Sequence, residues 1–314
     1  MLGLAGCGGS DESAQTATAP RTAKTRLADA ERAVRARTPG LYSLIVMRDG
    51  RPLLERYYDG ASASQPFPVF SITKSVVSAL AGIAIADGKL ELQQPLGELL
   101  DIPAGADPRV RKITVEQLLT MSAGWDDGKV GGPNVVRNIL LRPLAWEPGS
   151  KWFYDNGSAH LVSAVLTRAT GMSAAEYAQR RLFGPLNIQP LEWPADPQGN
   201  SSGSAGLVLR ARELALLGEL FRRGGEFAGR QIVPRSWAHA STAPHVGTDD
   251  PLVRYGYFWW IGDATKTYAA IGYGGQVVAV APREHAVVVW TCDPARAPDT
   301  RVLLRDYLLP ALRG

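Results

Sequence analysis

Cysteine is nearly absent from this chain. Two in 314 residues, Cys7 and Cys292, rule out a disulfide-built scaffold and a thiolate metal cluster. Histidine is as scarce: His160, His239, His245 and His285 show no metal-ligand spacing and no evident triad partner. No metal site is therefore expected. No apolar run approaches the roughly 18 residues that a membrane-spanning helix needs. Charge of one sign is also lacking, with 34 Lys and Arg against 30 Asp and Glu and a formal net charge of +4. The arginines are scattered rather than gathered in a stripe, so no nucleic-acid partner is expected. What remains, 45% hydrophobic and 20% charged residues, is the composition of an ordinary globular protein. The chain is long enough for one large domain around a substantial core.

Its first residues have a different texture. Leu4 to Cys7 reads LAGC and is followed by GGSDESAQTATAP. This resembles a bacterial lipobox with a polar tether, although only six residues precede Cys7 and no basic leader is present. The resemblance implies a lipidated Cys7, membrane anchoring through it, and a place in the bacterial cell envelope, periplasmic or membrane-anchored. Residues 1–25 are expected to form this N-terminus and a flexible linker. Residues 26–314 are expected to form a single catalytic domain.

Within that domain, strand patterns sit at the two ends. Leu41 to Gly60 reads as a hairpin turning at Asp49-Gly50. Strand-like runs return at Tyr255–Gly262, Lys266–Gly272, Gln276–Pro282 and His285–Cys292, joined by turns short enough to make neighbours antiparallel. Between them the texture is helical: Val76–Asp87, Val115–Met121, Ser158–Thr170, Ala174–Leu182 and Glu213–Arg223. A final helix spans Thr300–Leu312. The expectation is an α+β fold in which one antiparallel sheet is built from both chain ends. The sheet lobe would cover about 26–70 and 226–314, and a mainly helical lobe about 71–225.

The chemistry-bearing residues lie where the first strands give way to the helices. In PFPVFSITKSVVSALAGIAIADGKL, Ser71 and Lys74 are three apart at the head of an apolar helix. That spacing puts them on one helical face, one turn apart. A serine in the first turn also points its N–H out of the positive end of the helix. Ser-x-x-Lys alone is a weak signal, since an N-cap serine before a solvated lysine looks the same. It gains weight from Tyr154-Asp155-Asn156, from ITVEQLLTMSAGW (Ile113 to Trp125), and from GPLNI and YGYFWWIG further on.

Together these motifs resemble the penicillin-recognising serine hydrolases, on the side of class C β-lactamases and related carboxypeptidases, esterases and amidases. The wording around Ser71 and in VMRDGRPLLERYYDG most resembles the 6-aminohexanoate-dimer hydrolase branch. The resemblance runs from about Gly40 onward, and it implies the β-lactamase/transpeptidase-like fold and a covalent acyl-enzyme, with no metal and no organic cofactor. Ser71 would be the nucleophile, Lys74 and Tyr154 the base system, and Asn156 an orienting amide. A serine hydroxyl must lose its proton as it attacks, and a lysine accepts one only if its pKa is depressed.

The family's third motif normally carries a cation and a hydroxyl ahead of a glycine. Here Ala270-Ile271-Gly272 stands in that place, so the glycine is kept and an apolar edge is expected. The N–H of Tyr273 would pair with that of Ser71 as oxyanion donors. Gln276 is a further candidate on that edge. The implied substrate is a small ester or amide. A D-Ala-D-Ala carboxypeptidase or β-lactamase, or an acylated sensor that does not turn over, are the alternatives. The Gly-x-Ser-x-Gly match in GNSSG (Gly199 to Gly203) has no preceding strand and is set aside as a nucleophile elbow.

Overall fold

The computed structural model describes residues 22–126, 130–296 and 299–313. Cys7 and nearly all of the expected tether lie outside the described residues. Helix α1, Ala23–Arg37, opens within the stretch expected to be linker, capped by Thr22, whose side chain accepts from the Thr25 N–H.

The strands in chain order are β1 (Leu41–Arg48), β2 (Arg51–Tyr57), β3 (Pro66–Pro68), β4 (Val208–Arg210), β5 (Glu226–Phe227) and β6 (Arg230–Gln231). They continue with β7 (Val246–Gly247), β8 (Val253–Tyr255), β9 (Trp260–Gly262), β10 (Thr267–Gly272), β11 (Gln276–Ala281) and β12 (Ala286–Cys292). Eight of them form one sheet in the order β2-β1-β12-β11-β10-β9-β8-β7, while β3–β4 and β5–β6 are separate ribbons. Every neighbouring pair in the large sheet is antiparallel. The sheet is thus built from both ends of the described chain, as expected of this α+β fold. At the first hairpin Asp49 and Gly50 both take positive φ, 50° and 76°, which a two-residue turn matched to the strand twist requires.

One strand expectation is corrected. Tyr255–Gly262 is a hairpin, β8 turning into β9, rather than a single strand. Phe258 takes φ 61° in that turn and gives its N–H to Leu119 O across to the helical lobe. The aromatic run reads as a strand, but lobe-to-lobe contact turns it.

Alternation on the central strands separates two cores. Val287 and Val289 of β12 face one way, and Val288 and Trp290 the other. The first face carries the helical lobe: α2 (Ile72–Ala86), α3 (Leu96–Leu99), α4 (Val115–Leu119), α5 (Val135–Leu140), α6 (Asn156–Thr170), α7 (Ala174–Ala178), α8 (Ala211–Arg222) and α9 (Arg235–Ser241). The second face is covered by α1 and the C-terminal helical run, α10 (Thr300–Val302) and α11 (Leu309–Arg313) with the wider turn between them.

Helix α2 is the pivot. Every residue from Ile72 to Ala84 is buried, so the helix is packed on every side and is mainly apolar, with Thr73, Lys74, Ser75 and Ser78 as buried polar exceptions. Glycine makes one of its contacts possible. A Cβ on Gly82 would lie 2.1 Å from the Trp237 ring of α9. An alanine in mid-helix ordinarily gains about 1 kcal/mol over glycine. Gly82→Ala should reverse that sign and cost about 1–3 kcal/mol in urea unfolding, because the large ring must move. An unchanged or raised midpoint would show that the interface has slack.

Candidate active site

Phe70 takes φ 49°, a left-handed backbone that a phenylalanine adopts only under constraint. The turn it makes delivers Ser71 to the N-cap of α2, one position ahead of the expected first turn. Successive N–H groups tighten this entry, Thr73 to Phe70 O at 3.0 Å and Lys74 to Ser71 O at 3.1 Å. Ser71 is half-buried, and its side chain makes no capping hydrogen bond. The hydroxyl is free of the role that an N-cap serine ordinarily has.

It meets Lys74 instead. The Lys74 amine lies 2.8 Å from Ser71 Oγ, 2.8 Å from Asn156 Oδ1 and 2.8 Å from the Ser204 carbonyl oxygen. Lys74 is 1% exposed. Burial pulls its pKa from the ordinary lysine range to about 7, and the nearby Asp155 carboxylate opposes that shift. A carbonyl oxygen cannot donate, and neither can Asn156 Oδ1. In a neutral amine these two acceptors take both N–H bonds, which leaves the lone pair on Ser71 Oγ. The arrangement orients a base.

The head of α6 supplies the remaining groups. Asp155 is its N-cap, accepting from the N–H groups of Gly157 and Ser158 at 2.9 and 2.7 Å and from Ser158 Oγ at 2.6 Å. Arg142 pairs with it at 3.2 Å. This fixes the helix start, so Asn156, the first helical residue, presents its amide to Lys74. Tyr154, just before the cap, places its ring 4.8 Å from the Lys74 amine. The ring is stacked on Trp260, centroids 5.6 Å apart and planes at 21°, with Tyr255 edge-on at 6.5 Å. Burial pushes the Tyr154 phenol up to about 12, and the neighbouring Ser71 hydroxyl pulls it the other way. Between about pH 7 and about pH 12, Lys74 is free base while Tyr154 stays protonated.

The edge of β10 closes the other side. A Cβ on Gly272 would sit 2.3 Å from Val69 O, so only glycine lets the strand end come this close to the nucleophile turn. Tyr273 follows, 71% exposed, with its ring edge-on to Phe70 at 5.6 Å. Among the described residues neither the Ser71 N–H nor the Tyr273 N–H is engaged in a hydrogen bond.

Two expectations for this edge are corrected. Ala270 is on the α2 face but buried in the core, and Ile271 lies on the opposite face, so neither side chain forms the apolar edge expected. Gln276 is edge structure: its amide donates to Cys292 O at 2.8 Å and accepts from Cys292 N at 3.1 Å. Cys292 itself is 2% exposed, and burial pushes its thiol up to about 12, an inert setting.

Sequence reasoning missed Ser204 and Asp155. Asp155 had a legible signal, an acidic residue directly ahead of a helix. Ser204 had none, because a backbone carbonyl leaves no side-chain signature. The GNSSG stretch set aside as an elbow is the segment that delivers it. Sequence also gave His160 no partner, yet its Nε2 lies 3.0 Å from Asp196 Oδ2.

A serine on a buried lysine, a stacked tyrosine, and a helical lobe resting on an antiparallel sheet define a serine hydrolase of the β-lactamase/penicillin-binding-protein fold. The model of the Beta-lactamase family matches residues 26–311, and the chain belongs to that family. It is similar to the 6-aminohexanoate-dimer hydrolase of Paenarthrobacter ureafaciens, 24% identical over 309 residues, 88% of this chain and 78% of that one. Among solved structures it resembles a putative 6-aminohexanoate-dimer hydrolase from Bacillus anthracis at a TM-score of 0.77 and 20% identity, over 90% of this chain and 81% of that one. EstCE1, a hydrolase with promiscuous acyltransferase activity, superposes at 0.76 with 18% identity, over 93% and 98% of the two chains.

An ordinary lysine is neutral at pH 7 in only about one molecule in a thousand or fewer. With a pKa of about 7, half of Lys74 is free base there. For a neutral ester, kcat/KM should rise with pH through a midpoint near 7 and then stay flat, since Tyr154 holds its proton to about 12. Lys74→Ala and Tyr154→Phe should each cost about 10²- to 10⁴-fold. A midpoint that survives Lys74→Ala would assign the titration to another group.

Proposed function

We propose that this protein hydrolyses small neutral esters or amides through a covalent acyl-enzyme on Ser71. The observation that carries the reading is the Lys74 amine, held by two pure acceptors with its remaining valence on Ser71 Oγ. Ser71 Oγ attacks the substrate carbonyl carbon as its proton passes to Lys74. The oxygen, now negative, lies between the N–H groups of Ser71 and Tyr273, one of them at the positive end of α2. When the carbon–oxygen or carbon–nitrogen bond breaks, the proton returns through Tyr154 to the leaving alkoxide or amine. Water then adds to the acyl group, giving its proton to the same pair, and the carboxylic acid departs as Ser71 regains its hydrogen.

Neutral substrates follow from what borders the nucleophile. The β10 edge offers backbone at Gly272 and the exposed ring of Tyr273, neither of which is a cation. A substrate carboxylate desolvated there without a charged partner would cost several kcal/mol. Relative to intrinsic reactivity, kcat/KM for p-nitrophenyl butyrate should exceed that for a chromogenic cephalosporin by about 10²-fold or more, or 2.7 kcal/mol. Acid-quenched protein should carry the butyryl mass on Ser71, and Ser71→Ala should abolish it. Efficient cephalosporin turnover with poor ester turnover would reject the substrate class. A burst without steady release would make the protein an acylated sensor.

Anchoring through Cys7 is a separate proposal supported by the lipobox-like stretch. Full-length protein expressed with its native upstream region should partition into detergent with acyl mass on Cys7. A soluble product that retains Met1 would remove it.

A further inference from the structure

Helix α6 acts on Lys74 twice. Asn156 touches the amine directly, and His160, four residues on and so on the same face, reaches a loop that touches it too. The His160 and Asp196 side chains are only 3% and 2% exposed. Asp196 also accepts from the N–H groups of Gln198 and Asn200, both at 2.9 Å, and from the Asn200 amide at 3.0 Å, which curls the start of the loop around it. At the far end the Gly203 N–H donates to His160 Nδ1 at 3.4 Å. An N–H can only donate, so Nδ1 is the bare nitrogen and Nε2 carries the proton given to Asp196. Both ring nitrogens are consumed. His160 therefore has none left to serve as a base for Ser71.

The loop it holds lies flush on α6. A Cβ on Gly203 would sit 2.1 Å from Ala159 O. Ser201 and Ser202 are tied separately, their carbonyls accepting from Ser163 Oγ at 2.6 Å and Trp193 Nε1 at 2.8 Å. Beyond Gly203 the next tie is at Leu207, whose N–H donates to Thr73 Oγ1 at 3.4 Å. Among the described residues, the one hydrogen bond in the intervening span is the one Lys74 gives to the Ser204 carbonyl. The Gly203–His160 bond is thus the last anchor ahead of that carbonyl.

We propose that His160 is a positioning residue: by clamping Asp196 and Gly203 onto α6 it fixes the Ser204 carbonyl on Lys74 and so holds the lysine's lone pair on Ser71. The proposal rests on Lys74 being the base. Lys74 faces Ser71 from its own helix, Tyr154, Asp155 and Asn156 from the head of α6, and Ser204 from the loop. Of these only Asp155 is charged, and Arg142 neutralises it from behind. A carbonyl acceptor favours the ammonium form, so losing it lowers the lysine's affinity for a proton and also frees the amine to turn.

The test uses the whole protein, p-nitrophenyl butyrate, and His160→Phe, His160→Asn and His160→Gln. In His160→Phe, kcat should fall about 10- to 100-fold with little change in KM, the loss expected when a reacting group is misplaced by about 1 Å. The acid limb of kcat/KM should move to lower pH by about half a unit or more. Asparagine restores an acceptor where Nδ1 stood and should recover most of the rate. Glutamine restores only the donor to Asp196 and should recover less. Gly82→Ala, remote from the nucleophile, serves as the control for lost stability. An acid limb in His160→Phe that stays at its wild-type pH, with a kcat no lower than in a control of equal Tm, would overturn the proposal. If His160→Phe does not fold, an unshifted limb in His160→Gln overturns it instead. Lys74→Ala, measured beside them, keeps the two readings apart: activity retained there defeats the base assignment, not the clamp.

Discussion

The site depends on keeping one amine out of water. A lysine with its nitrogen in solvent would be an ammonium, useless as a base and free to wander. Lys74 is enclosed, and desolvation rather than a neighbouring cation brings its pKa to about 7. Enclosure alone would leave a buried polar group unsatisfied, which costs free energy of its own. Asn156 and Ser204 prevent that, and because neither oxygen can donate they also settle where the lone pair points. One demand, a satisfied but uncharged buried amine, thus fixes the positions of three separate chain segments.

Those segments arrive by different physical routes. Ser71 and Lys74 share a helix turn, so their separation is local geometry. Asn156 comes from a second helix whose start is pinned by the Asp155 cap and its Arg142 partner. Ser204 comes from a loop tied to α6 by side chains of that helix. Gly272 comes from a strand end whose closeness to Val69 O requires the absence of a side chain. A capped helix and a clamped loop tolerate different changes, so the amine can be displaced in two distinguishable ways, while the bare strand end bears on the nucleophile turn instead.

Much of this was legible in the sequence, and the boundary follows side-chain chemistry. The strands at both ends, the central helices, and Ser71, Lys74, Tyr154 and Asn156 all announce themselves through periodicity or motif. What could not be read is carried by backbone or by distant pairing. The Ser204 carbonyl has no letter of its own, and His160 and Asp196 are 36 residues apart. The apolar edge expected of Ala270 and Ile271 failed for a simple reason: motif positions were read without asking which face of β10 each side chain takes. The aromatic run at Tyr255–Gly262 was read as one strand because β propensity says nothing about a turn imposed by the Leu119 carbonyl.

The sheet order has a consequence for how the molecule comes together. β12, the most completely buried strand, sits between β1 and β11, and Ser43 and Thr291 share a 2.7 Å hydroxyl contact across 248 residues of sequence. The edge that β1 offers in an emerging chain has to wait for almost the entire polypeptide before its partner exists. The entropy of closing so long a loop has to be overcome before the pairing gives anything back, which places this protein among slow, non-local folders. During synthesis the free edge of the mainly apolar β1 is in search of a strand. The Ser43 hydroxyl, which meets Thr291 in the finished sheet, is a feature that an interloping chain would have to match.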